Sequence, residues 1–583
     1  MSARPTTPQA LDDPAPPAGL RPPTATRRTD ARTVVLSGHD GPHVWRFRFS
    51  PDPASAPDDI ADPALDDASW PRIPVPASFG MPALDDAIGG PHGRPAYTNH
   101  LFPFPVDPPF PPDANPIGDY RLRFALEDPP ARATLRFDGV EGAGTVWLNG
   151  VLLGSTRGSR LPSEFDVGDL LAADNVLAVR VHTFSAASYV EDQDEWWAPG
   201  IIRAVTLVER PARGIRDVHV RADWGRDGAT LRVDVVREGS ADGVQNSTDR
   251  SPEVADSPPE RRSGGESVEF RAGDAPLIEL VETGQLIPSG ETVRVPGVAP
   301  WSAEQPTLWT LRVTSPVEVV ELRIGFRTVD IRDGVLRVNG APVRFRGVNR
   351  HEHHPRFGRH VPADVVRAEL LLMKRHNIQA IRTSHYPPDP LLLDLADELG
   401  FWVIDEADVE THGFADVGWR GNPTDDAVWT DAFVDRVTRM VARDRNHPSV
   451  VMWSLGNEAG EGRNVAAMAD AVRALDPTRP LHYEGDQSSA HVDVWSGMYT
   501  HPERLELIGR RAEPPLADPT LDERRRAMPF VLCEYAHAMG TGPGGLAEYQ
   551  RILDARPRLA GAFVWEWLEH GIEAVRDGIR TTG

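Results

Sequence analysis

The spacing of hydrophobic positions changes about 330 residues into the chain. Before that point, short runs such as residues 120–126 alternate apolar and polar positions between Gly, Pro and Asp turns. A period of two, with β-branched and aromatic residues, predicts strands, and Asn149-Gly150 predicts a hairpin turn. We therefore predict a β-sandwich over residues 30–210 and a second, smaller sandwich over residues 211–328.

Two stretches of this first part lack the alternating pattern. Residues 1–29 are rich in Pro, Ala and Thr and have no hydrophobic period, which predicts a mostly disordered tail. Residues 238–265 are polar and rich in Pro, Ser and Asp, which is typical of a long loop inside the second sandwich.

From about residue 330 onward, strand-like runs alternate with helix-like runs. One helix has well-marked ends, because Asp389 can cap it, Pro390 takes its first position and Gly400 follows its last residue. Eight strand-like runs with helical connections between most of them, in about 250 residues, predict a (β/α)8 barrel over residues 329–583. An open doubly wound sheet is the alternative, and the lack of a Gly-rich phosphate loop after any strand disfavours it.

Composition narrows the class of protein. The 583 residues include 62 Lys+Arg and 86 Asp+Glu, a formal net charge of −24, which argues against nucleic acid or an anionic membrane as the main partner. The single cysteine, Cys533, excludes an internal disulfide framework and a cysteine-based metal cluster. Because neither a secretory signal nor a run of 18 apolar residues is found, we expect a cytoplasmic location.

Two glutamates stand at the ends of predicted barrel strands. Reactive groups of such barrels come from the carboxyl ends of strands, and Glu458 and Glu534 end the apolar fourth and seventh strands, which lie across the barrel from each other. Retaining glycoside cleavage needs two carboxyl groups roughly 5–5.5 Å apart, one to protonate the leaving oxygen and one to attack the anomeric carbon. The alternative is that either glutamate is a solvated charge at the rim.

Two other groups of residues have the composition of metal sites. In an extended Glu410-Thr-His412 segment, both outer side chains point the same way and could hold one hard cation, magnesium or manganese rather than structural zinc, although a reading without metal stays open. The four polar residues 351–354 cannot all face one ion, so we expect most of them to solvate a loop.

Aromatic residues at the predicted rim have two interpretations. Trp565 and Trp567 either fill the barrel or stack on the apolar face of a pyranose. Tyr499 and His537 either contact substrate or are hydrogen-bonded rim residues.

Six segments of the predicted barrel resemble the catalytic half of bacterial β-galactosidases of glycoside hydrolase family 2. They are FRGVNRHEHHP at 345–355, RTSHYP at 382–387, DEADVETHG at 405–413, RDRNHPS at 443–449, WSLGNEA at 453–459 and LCEYAHAMG at 532–540. Residues 97–100 and 189–196 of the first sandwich are similar to the family's sugar-contacting loops. The resemblance covers about residues 30–570 and implies a jelly-roll sandwich, an immunoglobulin-like sandwich and a barrel, in that order.

The resemblance implies hydrolysis of terminal non-reducing β-D-galactose residues from lactose-like β-galactosides, with Glu458 as acid/base and Glu534 as nucleophile. It also implies a magnesium ion on Glu410, His412 and Glu458, and a sodium ion on Asp194 at a site that is incomplete here. The residues implied to contact galactose or to support the transition state are Asn99, Asp194, His351, His385, Asn457, Tyr499, His537 and Trp565.

The sequence also departs from the family. After Trp567 the family continues with an eighth barrel loop and further β domains, so we expect a barrel that is cut short after strand 8 and a weakly active fragment. The sister activity, β-glucuronidase, relies on an Asn-x-Lys pair, whereas the only lysine here is Lys374, preceded at −2 by Leu372. A non-catalytic sugar-binding subunit, a barrel metallohydrolase, a homo-oligomer and a complementing C-terminal chain stay open as alternatives.

Overall fold

The computed structural model describes residues 4–26, 28–39, 43–82, 92–239, 275–538, 541–576 and 579–582. These residues form two β-sandwiches followed by an eight-stranded parallel barrel, so the predicted fold class is confirmed. The predicted loop over residues 238–265 lies almost entirely outside the described residues. No helix in the described part of the chain is both long enough and apolar enough to cross a membrane.

The first sandwich packs a six-stranded sheet on a four-stranded sheet. The larger sheet has the order Val151–Thr156, Ala143–Leu148, Asp174–His182, Ile117–Ala125, His43–Ser50, Arg72–Val75, and the smaller one Ser163–Asp166, Ala133–Phe137, Val205–Glu209, Thr33–Ser37. A third sheet joins Ala77–Ser78, Gly200–Ile201 and Val140–Glu141. Alternate residues of each strand face the core; on one strand these are Trp45 and Phe47, which are fully buried.

The second sandwich packs three strands on five. The three are Ile215–Gly225, Gly228–Arg237 and Thr292–Val295, and the five are Arg28–Thr29, Val319–Ile324, Trp309–Thr314, Leu277–Leu280 and Gln285–Leu286, in that order. A three-stranded unit, Val329–Arg332, Val335–Val338 and Ala341–Pro342, then leads into the barrel. Its Leu336 and Val338 pack with Phe345 and Met452 of the barrel core, so this unit covers the amino-terminal end of the barrel.

Residues 4–26 differ from the predicted disordered tail. The backbone N–H of Ala25 donates to Asp217 of the second sandwich at 3.0 Å, and that of Thr26 donates to the carbonyl of Arg443 in the barrel at 3.0 Å. The segment is too rich in proline to show a helix or strand period, and several of its backbone groups bond to residues that are distant in sequence.

Eight parallel strands form the barrel. They are β1 (Phe345–Asn349), β2 (Ala380–Arg382), β3 (Trp402–Glu406), β4 (Val450–Ser454), β5 (Leu481–His482), β6 (Trp495–Met498), β7 (Phe530–Tyr535) and β8 (Leu559–Val564). Their order is β5-β4-β3-β2-β1-β8-β7-β6, and one bridge between His482 and Val494 joins β5 to the segment that begins β6. The ring is therefore nearly closed, which excludes the open doubly wound sheet.

Helices connect most of the strands on the outside. They are α1 (Ala363–Arg375), α2 (Pro390–Leu399), α3 (Thr430–Asp444), α4 (Arg463–Leu475), α5 (Pro502–Gly509), α6 (Pro519–Ala527) and α7 (Leu546–Ala555). Helix α2 has the predicted ends: the Asp389 carboxylate accepts from the backbone N–H of Leu391, and Gly400 closes the helix with a left-handed φ of 81°. A hairpin of Glu573–Arg576 and Ile579–Thr582 follows β8.

Candidate active site

A buried arginine at the end of β2 connects the polar residues of the barrel mouth. The Arg382 guanidinium donates to Glu534 Oε1 at 2.8 Å, to Asn457 Oδ1 at 2.7 Å and to Glu406 Oε2 at 2.7 Å. It also donates to Asn349 Oδ1 at 3.0 Å. Because these partners lie in β1, β3 and β7 and in the loop after β4, one guanidinium fixes side chains from around the ring.

Glu534 lies near the end of β7 and is almost fully buried. Its second oxygen, Oε2, accepts from the Tyr499 hydroxyl at 2.9 Å. Burial, together with the charge of Glu458, raises the pKa of Glu534 to about 7, although Arg382 and Tyr499 act in the opposite direction. Glu534 is thus a carboxyl group with both oxygens held in place, which titrates near neutral pH.

Glu458 lies in the loop after β4, with a left-handed φ of 32°. Its Oε2 is 2.9 Å from His412 Nδ1, and its backbone N–H donates to Glu484 Oε1 at 3.0 Å. Burial raises the pKa of Glu458, but the hydrogen bond and charge of His412 outweigh burial and leave the pKa below its usual value. Two carboxyl groups that interact in one desolvated site titrate as a pair, so the protonation of Glu534 depends on the charge of Glu458.

The predicted metal ligands come together beside this pair. Glu410, His412 and Glu458 each offer one ligand atom, all within 4.8 Å of one another, and they are the one such group among the described residues. Glu410 Oε1 is buried and accepts no hydrogen bond from any described residue. Burial and the charge of Glu458 raise the pKa of Glu410 well above its usual range. A cation would satisfy this oxygen, and the donor set of two carboxylates and one imidazole fits magnesium or manganese.

Three rings in mutual contact line the side of the mouth between β1, β2 and β8. His385 stacks on Trp565 with centroids 5.1 Å apart and planes 8° apart, and His351 stands at 90° to both rings. Burial lowers the pKa of His351, and burial with the charge of Arg382 lowers the pKa of His385 well below its usual range. Both imidazoles are therefore neutral, and neutral imidazole nitrogens suit hydrogen bonds to sugar hydroxyls.

The prediction that residues 351–354 mostly solvate a loop is wrong for the first two. The His351 side chain is fully buried, and Glu352 is also buried, where it pairs with Arg203 at 2.9 Å. The reason is that the loop lies under the first sandwich, whose Arg203 reaches it, and this cover is not visible in the local sequence.

A segment of the first sandwich, residues 189–196, reaches the barrel mouth. Glu191 pairs with Glu410 in a β-bridge, and the backbone N–H of Asp192 donates to the Glu410 carbonyl at 3.2 Å. This pairing brings Asp194 to the rim, where it accepts from the Tyr97 hydroxyl at 2.6 Å. The first sandwich thereby supplies two polar side chains of the site, those of Tyr97 and Asp194.

The remaining predicted residues take separate positions. Asn457 is buried and bridges Arg382 and Glu410. Asn99 is exposed on its loop with φ 53°, and the exposed His537 ring lies 6.2 Å from that of Tyr499.

Sequence reasoning missed four residues that organise the site: Arg382, Glu406, Asn349 and Glu484. Burial and the charge of Glu458 raise the pKa of Glu484 to about 8, so its carboxyl group is neutral when Glu458 is charged. A signal for Arg382 was present, because this charged residue ends an apolar strand just as Glu534 does.

Family models match nearly the whole chain. The models described as "Glycosyl hydrolases family 2, sugar binding domain", "Glycosyl hydrolases family 2" and "Glycosyl hydrolases family 2, TIM barrel domain" match residues 38–211, 214–327 and 329–581.

Curated relatives are β-galactosidases. That of Arthrobacter sp. (strain B7) is 46% identical over 96% of this chain and 54% of its own length. That of Kluyveromyces lactis is 36% identical over 92% of this chain and 55% of its own length, and one from Enterobacter cloacae is 38% identical over 93% and 51%. The chain therefore spans about half the length of the curated relatives it matches.

Solved structures share the fold. A β-glucuronidase from Ruminococcus gnavus superimposes with a TM-score of 0.68 at 19% identity, covering 94% of this chain and 93% of that one. The β-glucuronidase of Faecalibacterium prausnitzii gives 0.67 at 22% identity, with coverages of 94% and 93%. At this identity the likeness concerns architecture alone.

Proposed function

Starting from the fact that this chain belongs to glycosyl hydrolase family 2, we propose that it hydrolyses terminal β-D-galactosides with retention at the anomeric carbon. The observation that carries the proposal is the pair Glu458 and Glu534, which interact electrostatically at the mouth of one barrel and are linked through Arg382 and Asn457.

The reaction is a double displacement. The Glu534 carboxylate attacks the anomeric carbon while Glu458 gives its proton to the leaving oxygen, so the glycosidic bond breaks and a galactosyl ester forms. Glu458 then takes a proton from water, the water oxygen attacks the anomeric carbon of the galactosyl ester, and Glu534 leaves as a carboxylate. Arg382 and Tyr499 hold the two oxygens of Glu534 in place for both steps.

For a cofactor we propose magnesium, held by Glu410, His412 and Glu458. When bound, the ion supplies positive charge beside the acid/base. The buried Glu410 oxygen that lacks a donor supports this assignment. Sodium at Asp194 remains a proposal that rests on the resemblance.

For the substrate we propose a neutral galactoside, contacted by Asn99, Asp194, His351, His385, Asn457, Tyr499, His537 and Trp565. Sequence relatives at 36–46% identity are β-galactosidases. The chain's only lysine, Lys374, lies in α1 and donates to the backbone carbonyls of Ala303 and Gly400, so it does not serve a substrate carboxylate. The acidic neighbours Asp194 and Glu566, which act on His351, also disfavour a uronate ligand.

A mechanism-based label tests this proposal. The purified chain is incubated with a 2-deoxy-2-fluoro galactoside that has a good leaving group, and the digested protein is analysed by mass spectrometry. We expect one galactosyl ester on the peptide that contains Glu534, and none in Glu534→Gln. A label on another residue would contradict the nucleophile assignment, and binding without any label would favour the non-catalytic sugar-binding alternative.

A further inference from the structure

Trp419 is an exposed aromatic residue on the loop that follows β3. About 40% of its surface is exposed. Both Gly418 and Trp419 have left-handed backbones, with φ of 67° and 61°. Bulky residues rarely adopt this region, so a large apolar side chain is presented to solvent at a conformational cost to its own backbone.

The base of this loop is held by both domains. The backbone N–H of Gly413 donates to Asp192 of the first sandwich at 2.7 Å, and His100 pairs with Asp416 at 3.3 Å. The backbone N–H of Trp419 donates to the Phe414 carbonyl at 2.8 Å. The position of the indole is therefore fixed by contacts on both sides of the site.

The indole lies against the backbone of Gly460. A Cβ atom on Gly460 would be 3.0 Å from Trp419 Cε3, so the ring packs closely on this glycine. Gly460 is itself fixed, because its carbonyl accepts from the Tyr483 hydroxyl at 2.7 Å. One residue, Ala459, lies between Glu458 and Gly460, so their Cα atoms are at most about 7 Å apart. The indole of Trp419 thus packs on the backbone two positions after Glu458, the proposed acid/base.

The surroundings of Trp419 do not form a protein-docking patch. Its neighbours Gly418, Arg420 and Gly421 are also exposed, and none of them is apolar and large. A single indole between small and charged residues offers one flat face, which suits one ring of a small molecule.

We infer that Trp419 is the platform on which the leaving group of the substrate stacks, and that it favours leaving groups and acceptor alcohols with a flat apolar face, such as a hexose or an aromatic ring. The inference rests on the proposed function. A leaving group bonded to the oxygen beside Glu458 extends toward solvent past Gly460, and stacking on an indole stabilises a ring in that place.

Calorimetry with two thiogalactosides tests the inference without turnover. The chain and its Trp419→Ala and Trp419→Gly variants are titrated with methyl and with phenylethyl thio-β-galactoside. We expect the parent to bind the phenylethyl compound about five- to ten-fold more tightly, and both variants to lose this preference. Leu286→Ala removes another exposed apolar side chain, on the second sandwich, and should keep the preference for the phenylethyl compound. Because glycine accepts a left-handed backbone, Trp419→Gly should melt no lower than the parent, which separates lost stacking from misfolding.

Turnover of two substrates distinguishes the modes of failure. For β-galactosyl fluoride, whose leaving group has no ring, kcat/KM should be unchanged in the Trp419 variants, whereas for lactose it should fall about five- to ten-fold. A parent that hydrolyses the fluoride but shows no preference between the thiogalactosides overturns the role of Trp419 and leaves the proposed function standing. A parent that neither binds the thiogalactosides nor hydrolyses the fluoride overturns both.

Discussion

At the residue scale, the titration of the barrel mouth depends on where its carboxyl groups are buried. Glu534 faces Arg382, whereas Glu410 has no cationic hydrogen-bond partner among the described residues, and burial raises the pKa of each. A buried carboxylate without full compensation lowers the stability of the folded state. We therefore expect the folded state to be less stable when these two carboxyl groups are charged than when they are neutral.

The loss of stability caused by a buried carboxylate can be measured at Glu534. In the unfolded chain its pKa is 4.5, and in the folded chain it is about 7. Between these values the folded state holds a proton that the unfolded state has lost, so the free energy of unfolding falls as the pH rises through this window. We expect Glu534→Gln to abolish hydrolysis and to raise the melting temperature by a few degrees at pH 8.

The gain in melting temperature of Glu534→Gln should shrink towards pH 5, where the carboxyl group of Glu534 in the parent is protonated. Glu548→Gln, at a half-exposed position on α7, serves as the control and should show no such pH dependence. A gain in Glu534→Gln that is equal at both pH values would contradict the burial argument.

His412 gives a second prediction at this scale. Because its Nδ1 lies 2.9 Å from Glu458 and within reach of Glu410, His412→Ala removes one of three proposed magnesium ligands. We expect the dissociation constant for magnesium, measured by calorimetry, to rise about ten-fold or more. His501→Ala, which alters an exposed histidine, should leave it unchanged. An unaltered constant in His412→Ala would remove this residue from the metal site.

At the element scale, the glycine after α2 is a test of local backbone geometry. Gly400 has φ 81°, and a Cβ there would lie 2.4 Å from the Ala303 carbonyl oxygen. Gly340 has nearly the same φ, 79°, but open space around it. We expect Gly340→Ala to lower the free energy of unfolding by about 1 kcal/mol, and Gly400→Ala to lower it by about 2 kcal/mol more, since only the latter also has a clash.

Chemical denaturation of the two variants measures this difference. If both variants lose the same free energy of unfolding, the conformation of the backbone, and not the contact with Ala303, accounts for the glycine after α2.

The elements of the barrel could be predicted from sequence because their signals are local. The apolar runs that became β4 and β7, and the Asp389 and Gly400 ends of α2, are read within a few residues. The network around Arg382 could not be derived in this way, because its bond to Asn457 spans 75 residues and that to Glu534 spans 152. Only the closure of the barrel brings these partners together.

At the scale of the whole molecule, the first sandwich and the barrel are joined through buried charges. Arg160 of the sandwich donates to Asp408, in the loop after β3, at 3.0 Å and to Glu141 of its own domain at 3.0 Å, and all three side chains are buried. Because Asp408 is close in the chain to Glu410, a proposed magnesium ligand, the same interface positions the candidate active site.

Arg160→Met should therefore affect stability and substrate binding together. Removing one partner of a buried ion pair leaves uncompensated carboxylates and costs about 3–5 kcal/mol of the free energy of unfolding. We also expect KM for a galactoside to rise, since residues 189–196 would lose part of their support. Arg232→Met breaks a fully exposed pair with Asp234 and should change neither quantity. A normal melting curve for Arg160→Met would show that the interface does not depend on this charge.

The single bridge between His482 and Val494 gives the barrel ring one weak junction. Opening of a closed ring of strands begins where the fewest backbone hydrogen bonds must break, so the amide protons of β5 and β6 should exchange with solvent before those of the other six strands. Glu458 follows β4, which neighbours β5, and Glu534 belongs to β7, which neighbours β6. Each glutamate is therefore one strand away from the junction. Arg382, on β2, ties Glu534 directly, and Glu458 through Asn457, to the far side of the ring. Fluctuations at this junction would thus change the shape of the mouth near Tyr499 and Glu484 while the two carboxyl groups proposed as catalytic keep their spacing.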